Sequence, residues 1–379
     1  MSGAVSANEA TEVDRLAAAA LAGLPKMSFG RLRALLAAAP AAAAWAGVAE
    51  DRGFVPRALG GDTAAFAGDW ASAARRVDLA AIGRAHQAAG VAVHLLGDAD
   101  YPSVLADDHE APAVLFSRGD LGALTGPIVA VVGTRSATHY GQDVAAELSR
   151  DLARAGVVVV SGLALGIDAA AHQGALAATG APPVGVVASG LDVVYPSRNA
   201  RLWDQVATRG TLLSESPLGT TAAAWRFPMR NRIIAAIAQV VVVVEGHRRS
   251  GALHTVEAAI ERGRLVMAVP GSVRSPASEG TNALLADGCQ PARDADDVLV
   301  AVDLERTGRS TTPTPPRGAE LGEDERATLN ALDWQPTGTD EVLRRTGMPL
   351  GEVAVILDRL EEAGLARGGP GWWERRRRR

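Results

Sequence analysis

The segment WRFPMRNRIIAAIA (225–238) carries three guanidinium groups within seven residues, Arg226, Arg230 and Arg232, with Asn231 among them and the rings of Trp225 and Phe227 interleaved. Arginine beside an aromatic ring is the chemistry of single-strand binding, in which charge tracks a phosphate backbone while a ring stacks a base. Two further loops carry compatible groups. In GTRSATHYG (133–141), Gly133 permits a tight turn and N–H groups at the start of the next helix can face an oxyanion. Arg135 then adds a charge-assisted contact. In SGLALGIDAAAH (161–172), Ser161 offers a hydroxyl, and Gly162 and Gly166 allow close backbone approach. Asp168 opens a helix, where a carboxylate caps free N–H groups or orients Arg135. His172, one turn on, reads as a structural histidine. Each loop also has a plain structural reading as a turn or a helix cap.

The elements around these loops decide between the readings. Short apolar runs recur at IVAVVG (128–133), VVVVS (157–161), VGVVAS (184–189), TLLSE (211–215), VVVVVE (240–245) and LVMAVPG (265–271). Such runs predict strands of a parallel sheet buried on both faces. Helices are predicted between them at 141–155, 167–179, 198–208, 229–238 and 252–262, which implies right-handed βαβ crossovers. Ligands of open parallel sheets bind at the carboxyl ends of the strands, where all three loops fall. AVLFSRG (113–119) is bounded by prolines and is expected to pair at the sheet's edge.

Composition limits the alternatives. The chain has 379 residues, 47% of them hydrophobic, enough for two or three domains with substantial cores. A single cysteine, Cys289, excludes an internal disulfide and points to a reducing compartment; with no secretory signal or long apolar span, a cytoplasmic protein without a membrane role is expected. The net charge of −5 excludes a uniformly basic surface but leaves room for a local positive groove. There is no Walker loop, no HExxH, CxxC or clustered metal ligands, and no GxSxG elbow. Glu215 and Glu245 end two strands, but nothing pairs them as acid and base. The expectation is a protein with no metal, no cofactor and no catalytic residue, not an enzyme.

Four segments follow: an N-terminal helical domain (1–74), an extended Rossmann-like α/β domain (75–306), a Pro/Thr-rich linker (307–322) and a winged-helix-like module with an Arg-rich tail (323–379). Within the last, helix 349–364 takes the recognition position, yet its exposed side carries Glu352, Asp358, Glu361 and Glu362, poor chemistry for a DNA groove. Contact with DNA and contact with protein both remain open for this module.

Taken in order, GTRSATHYG, VVSGLALGIDAAAH, VGVVASGLDVVYPSRN, LLSESPLGT, FPMRNRIIAAIA, VVVEGHRRSGALHT and VMAVPGSVRSPASEGTNALLADG resemble the DprA (Smf) family of DNA-processing proteins over about 128–300. The resemblance implies a SAM/HhH-like helical domain, an extended Rossmann-like parallel sheet and a winged helix. It implies a dimer that binds single-stranded DNA without catalysis, displaces single-strand-binding protein and loads the RecA recombinase during natural transformation. Carried over by motif, the DNA-binding positions are Gly133, Thr134, Arg135, Ser161, Gly162, Gly166, Phe227, Arg230, Asn231 and Arg232. Leu165 departs from a position where many members have a basic residue, with Arg226 or Arg248 available to compensate. The competing expectation is a Rossmann-like enzyme cleaving the N-glycosidic bond of nucleoside monophosphates. Its PGGxGTxxE signature is absent from SGALHTVEA (250–258), although Glu257 lies nearby.

Overall fold

The computed structural model describes residues 11–50, 53–60, 63–248, 250–307, 322–333, 337–362, 365–369 and 371–375. The chain divides into two units, Met1–Thr311 and Thr312–Arg379. Most of the predicted linker (308–321) and the last four arginines of the tail (376–379) lie outside the described residues.

The first unit is built on a sheet of nine strands: β1 (Ala92–Leu95), β2 (Val114–Gly119), β3 (Ile128–Val132), β4 (Val158–Ser161), β5 (Val184–Val186), β6 (Thr211–Ser214), β7 (Val240–Val243), β8 (Leu265–Ala268) and β9 (Gln290–Pro291). Their order is β1-β2-β6-β5-β4-β3-β7-β8-β9. From β6 to β9 every pairing is parallel, whereas β2 joins β6, and β1 joins β2, antiparallel. The segment expected at the edge is therefore β2, with one more strand outside it.

Helices α1 (Glu12–Ala22), α2 (Phe29–Ala38), α3 (Ala41–Glu50), α4 (Phe54–Leu59), α5 (Ala64–Ala74) and α6 (Leu79–Ala89) precede the sheet. Their core is continuous with it: Leu21, Leu35 and Trp70 share a cluster with Phe116 of β2 and Leu212 of β6. Buried Trp70 satisfies its indole N–H on the Pro25 carbonyl at 2.7 Å. The turn α7 (Ser103–Ala106) leads to β2. Then α8 (His139–Arg154), α9 (Ile167–Ala177), α10 (Ala200–Arg209), α11 (Arg226–Ile237), α12 (Leu253–Glu261), α13 (Glu279–Ala286) and α14 (Ala295–Thr307) alternate with the strands. Both sheet faces are covered, which is why the strand sequences are apolar throughout. In β3, Val129 and Val131 share a core with Leu148 and Leu152 of α8 and Val298 of α14. Ile128, Ala130 and Val132, pointing the other way, share one with Ile233, Ile234 and Ile237 of α11.

From β3 the chain steps outward through β4 and β5 to β6, then returns by α11 to place β7 on the other side of β3. That reversal is the topological switch where a crevice opens beyond the strand ends. The helix before β7 starts at Arg226, three residues earlier than predicted, because Pro228 is compatible with a first helical turn. Helices α13 and α14 had no clear signal.

The second unit contains α15 (Glu323–Ala331), β10 (Thr337–Gly338), α16 (Thr339–Thr346), α17 (Leu350–Glu362), β11 (Ala366–Gly369) and β12 (Trp372–Arg375). Its strands run in the order β10-β12-β11, and Val342, Val353, Leu357 and Leu360 fill its own core. Three helices with an antiparallel wing make a winged helix. Glu352, Asp358 and Glu361 are exposed on α17.

Candidate nucleic-acid interface

A cleft opens at the carboxyl ends of β3, β4 and β5. Arg135 from the first loop, Gly162 and Leu165 from the second, and Phe227 and Arg230 from α11 all line it. The three segments singled out in the sequence thus converge. Exposed Arg135 lays its guanidinium over the Phe227 ring, 4.4 Å from the centroid. Tyr195 stands on the same ring, with centroids 5.7 Å apart. A cation, a half-buried ring and a second ring at one rim suit an anion joined to a flat base.

Arg230 forms the cleft's floor. Only 5% exposed, it donates from Nη1 to the carbonyls of Gly162 (2.6 Å) and Val186 (2.5 Å) and from Nε to Asn231 Oδ1 (3.0 Å). Its counter-charge is Asp168, whose Oδ2 accepts from the Gly162 N–H at 3.1 Å. Burial pushes the Arg230 guanidinium down to about 10, held up by Asp168, and so it stays charged at neutral pH. Burial also pushes the Asp168 carboxyl up, opposed first by Arg230, then by the backbone N–H groups of Ala164 and Gly162, and last by Arg135. Asp168 therefore serves the two arginines and these N–H groups. His172 behind it is fully buried, and burial pushes it down to about 4, so it is neutral.

The glycines have packing reasons. A Cβ on Gly162 would stand 2.0 Å from Arg230 Nη1, so this glycine makes room for the guanidinium. Gly166 has φ +75°, and a Cβ there would meet the Thr134 and Arg135 carbonyls at 2.4 and 2.7 Å, so the first two loops interlock. At Gly133 a Cβ would strike Ile167 and the Glu245 carbonyl. Thr134 is buried, donates its N–H to that carbonyl at 2.8 Å and accepts from the Ser136 N–H on Oγ1. Glu245 is spent on α8: its carboxylate accepts from the N–H and hydroxyl of Thr138.

Of the ten expected positions, Arg135, Gly162, Phe227 and Arg230 line the cleft, whereas Gly133, Thr134, Ser161, Gly166, Asn231 and Arg232 do not. Ser161 is wholly buried and its hydroxyl donates to the Val131 carbonyl at 2.7 Å inside the sheet. Arg232 leaves α11 on another side: it pairs with Glu215, donates to the Glu110 carbonyl and covers Phe29 of α2, 4.5 Å from the ring centroid. Burial pushes the Glu215 carboxyl up, and Arg232 and Arg226 pull it back. Arg232 is thus a tie between α11, the loop joining α7 to β2, and α2. Asn231 is half-buried; its amide accepts from Arg230 and donates to the Gly251 carbonyl at 3.3 Å. Of the candidates for replacing a basic group at Leu165, Arg226 bonds Ser216 Oγ at 3.0 Å and Arg248 pairs with Glu279 at 3.7 Å. Glu257, the nearest acid to a glycosidase pattern, is exposed and bonded to His254 outside the cleft lining.

Tyr195 and Asn199, which motif reading did not select, both act here. Asn199 Nδ2 donates to the carbonyls of Leu163 and Ala164, each at 3.0 Å. It thereby holds the second loop although Leu163 has the unusual φ of +54°. Both residues lie in VGVVASGLDVVYPSRN, one of the segments that carry the family resemblance, and its place between the second loop and α11 was the available signal. Among the described residues no group of His, Cys, Asp and Glu is placed to hold a metal, and no single helix is long and apolar enough to cross a membrane.

The family profile for DNA recombination-mediator protein A matches residues 92–303, and that of the DprA winged helix domain matches 312–371. The DNA processing protein DprA of Bacillus subtilis is 39% identical over 230 residues, 60% of this chain and 77% of its own length. Protein Smf of Escherichia coli is 36% identical over 286 residues, 73% and 75% of the two chains. The crystal structure of DNA processing protein A from Streptococcus pneumoniae superposes with a TM-score of 0.64 at 31% identity, covering 76% of this chain and 98% of that one. A Helicobacter pylori DNA processing protein A, described for its single-stranded DNA binding mode, gives 0.51 at 26% identity over 58% and 97%. With the sheet, the interlocked loops and the winged helix all present, the chain belongs to the DprA family of DNA recombination-mediator proteins.

Proposed function

We propose that the cleft binds single-stranded DNA and that the protein acts without catalysis as a recombination mediator. In this reading it is a cytoplasmic homodimer that receives DNA entering in natural transformation, displaces single-strand-binding protein and loads the RecA recombinase. One observation carries the binding step: the Arg135 guanidinium over the Phe227 ring, at the strand ends where three loops meet. Arg135 is placed for a phosphate and Phe227 for a base, while Gly133, Thr134, Gly162, Gly166, Asn231 and Arg230 hold the surface in shape. The single-stranded DNA binding mode described for the Helicobacter pylori relative supports the choice of ligand.

The test is a titration of fluorescein-labelled single- against double-stranded oligonucleotides, with sedimentation run in parallel. Preference for the single strand, with a salt-dependent affinity and a two-chain species, is expected. Equal affinity for both forms refutes the reading. So does release of free base and ribose phosphate from a nucleoside monophosphate, which identifies a glycosidase instead.

A further inference from the structure

Two residues before Phe227, at the N-terminal boundary of α11, Trp225 is 58% exposed. It sits in the short segment between Ala222 and Phe227, both of which line the cleft, but does not line the cleft itself. Its ring is not left loose: the Arg226 guanidinium lies over it at 4.4 Å from the centroid. Arg226 is itself fixed by the Ser216 hydroxyl at 3.0 Å and by the charge of Glu215. The chain therefore repeats at the rim the pairing found in the cleft, an arginine stacked on an aromatic ring, once with Arg135 and Phe227 and once with Arg226 and Trp225. More than half of the indole stays in contact with water in the folded chain, so a flat apolar face is open to a ligand.

We infer that Trp225, with Arg226 at its side, is a second stacking platform that takes the base of a nucleotide neighbouring the one held on Phe227. This rests on the single-strand reading of the cleft and extends it beyond the cleft's own lining. The chemistry required is a π-face on a flexible strand; stacking tolerates every base, so the second platform adds length dependence rather than sequence preference. A duplex keeps its bases stacked on each other and cannot offer one to either ring, so the platform also sharpens discrimination against double strands.

The experiment uses the full chain and a length series of fluorescein-labelled oligo-dT, from a single thymidine nucleotide to a dodecanucleotide, read by anisotropy at one salt concentration. For Trp225→Ala the expected result is a loss of roughly 5- to 150-fold on the longer strands, the range for one lost base stack. Strands too short to leave the cleft lose nothing, and Trp225→Phe keeps most of the affinity. Phe227→Ala, in contrast, weakens binding at every length. Trp225→Ala that binds all lengths like the wild type removes the second platform while leaving the cleft reading intact. Loss that is equal at every length, or that Phe does not restore, also removes it. A wild type that binds none of the strands overturns the cleft reading and this inference with it. In a separate readout, oligo-dT quenches tryptophan emission of the wild type, and the quenched component is missing from Trp225→Phe; quenching that survives the substitution counts against the platform.

Discussion

Replacing Gly162 with alanine tests whether this glycine serves the buried arginine or the ligand. The new Cβ would lie 2.0 Å from Arg230 Nη1 and 2.4 Å from its Cζ. The guanidinium cannot retreat without releasing the Gly162 and Val186 carbonyls, both bound to that same nitrogen. Overpacking a tight interior costs about 1–3 kcal/mol, and each hydrogen bond to a charged group contributes about 1.5–3 kcal/mol, so Gly162→Ala should lose about 3–5 kcal/mol. Arg230→Ala removes the guanidinium and leaves Asp168 buried without its counter-charge, a loss of about 3–5 kcal/mol. Burial already pushes the Asp168 carboxyl up, and losing Arg230 removes the largest influence pulling it down, so protonation is easier in that variant and the cost falls at the lower end. In the double variant the new methyl meets open space. It should therefore be no less stable than Arg230→Ala alone, far from the sum of the two. Urea unfolding of the four proteins under one set of conditions measures the coupling directly. Effects that add to within about 0.5 kcal/mol, or Gly162→Ala with wild-type stability, would refute the packing account.

The arginines separate by role. Arg135→Ala should weaken oligo-dT binding and lower the log–log salt slope by about 0.7, the value of one phosphate on a single strand. Arg232→Ala should leave the slope alone and destabilise the fold by about 3–5 kcal/mol, since Glu215 loses its partner; the reverse pattern would return the phosphate contact to Arg232. Phe227→Ala should cost about 1–3 kcal/mol of affinity, and a melting shift without an affinity change would make the ring a core residue. His172 adds a pH dependence. Burial pushes it down to about 4 from 6.5, so below 6.5 the unfolded chain binds a proton that the folded chain does not. Stability then falls with pH by about 1.4 kcal/mol per unit from this group until folded His172 also titrates near pH 4. His172→Leu should flatten that window, and an unchanged slope would place the titration elsewhere.

The sheet was readable because burial on both faces leaves a signature that needs no distant information. Six apolar runs with a helix between each pair admit few arrangements, and the strands β3 to β8 fall within them. What sits outside that signature was harder. Helix α13 begins within the end of a Gly/Pro/Ser-rich stretch (PGSVRSPASEG, 270–280), and α14 is held by contacts to strands formed earlier in the chain. The position of β1 beyond β2 likewise depends on pairing that alternation alone does not specify.

For the site, residue type located the right loops but could not say where each side chain goes. Gly162 reads as a backbone approach to phosphate until Arg230, 68 residues later, is seen to fill the space above it. No local pattern carries that contact. The arginines of α11 are a different case, because their helical phase was legible. Arg226 and Arg230 are four residues apart and share a face, whereas Arg232 lies about 200° around the axis from Arg230. Once FPMRNRIIAAI is a helix with Arg230 turned toward the ends of β4 and β5, Arg232 must leave it on the opposite side. On that side it needs an acid, which Glu215 at the end of β6 supplies. Counting the three guanidinium groups together hid a division that the period of the helix already contained: two arginines on the side of the proposed strand-binding surface, and one that ties the helix to the rest of the fold.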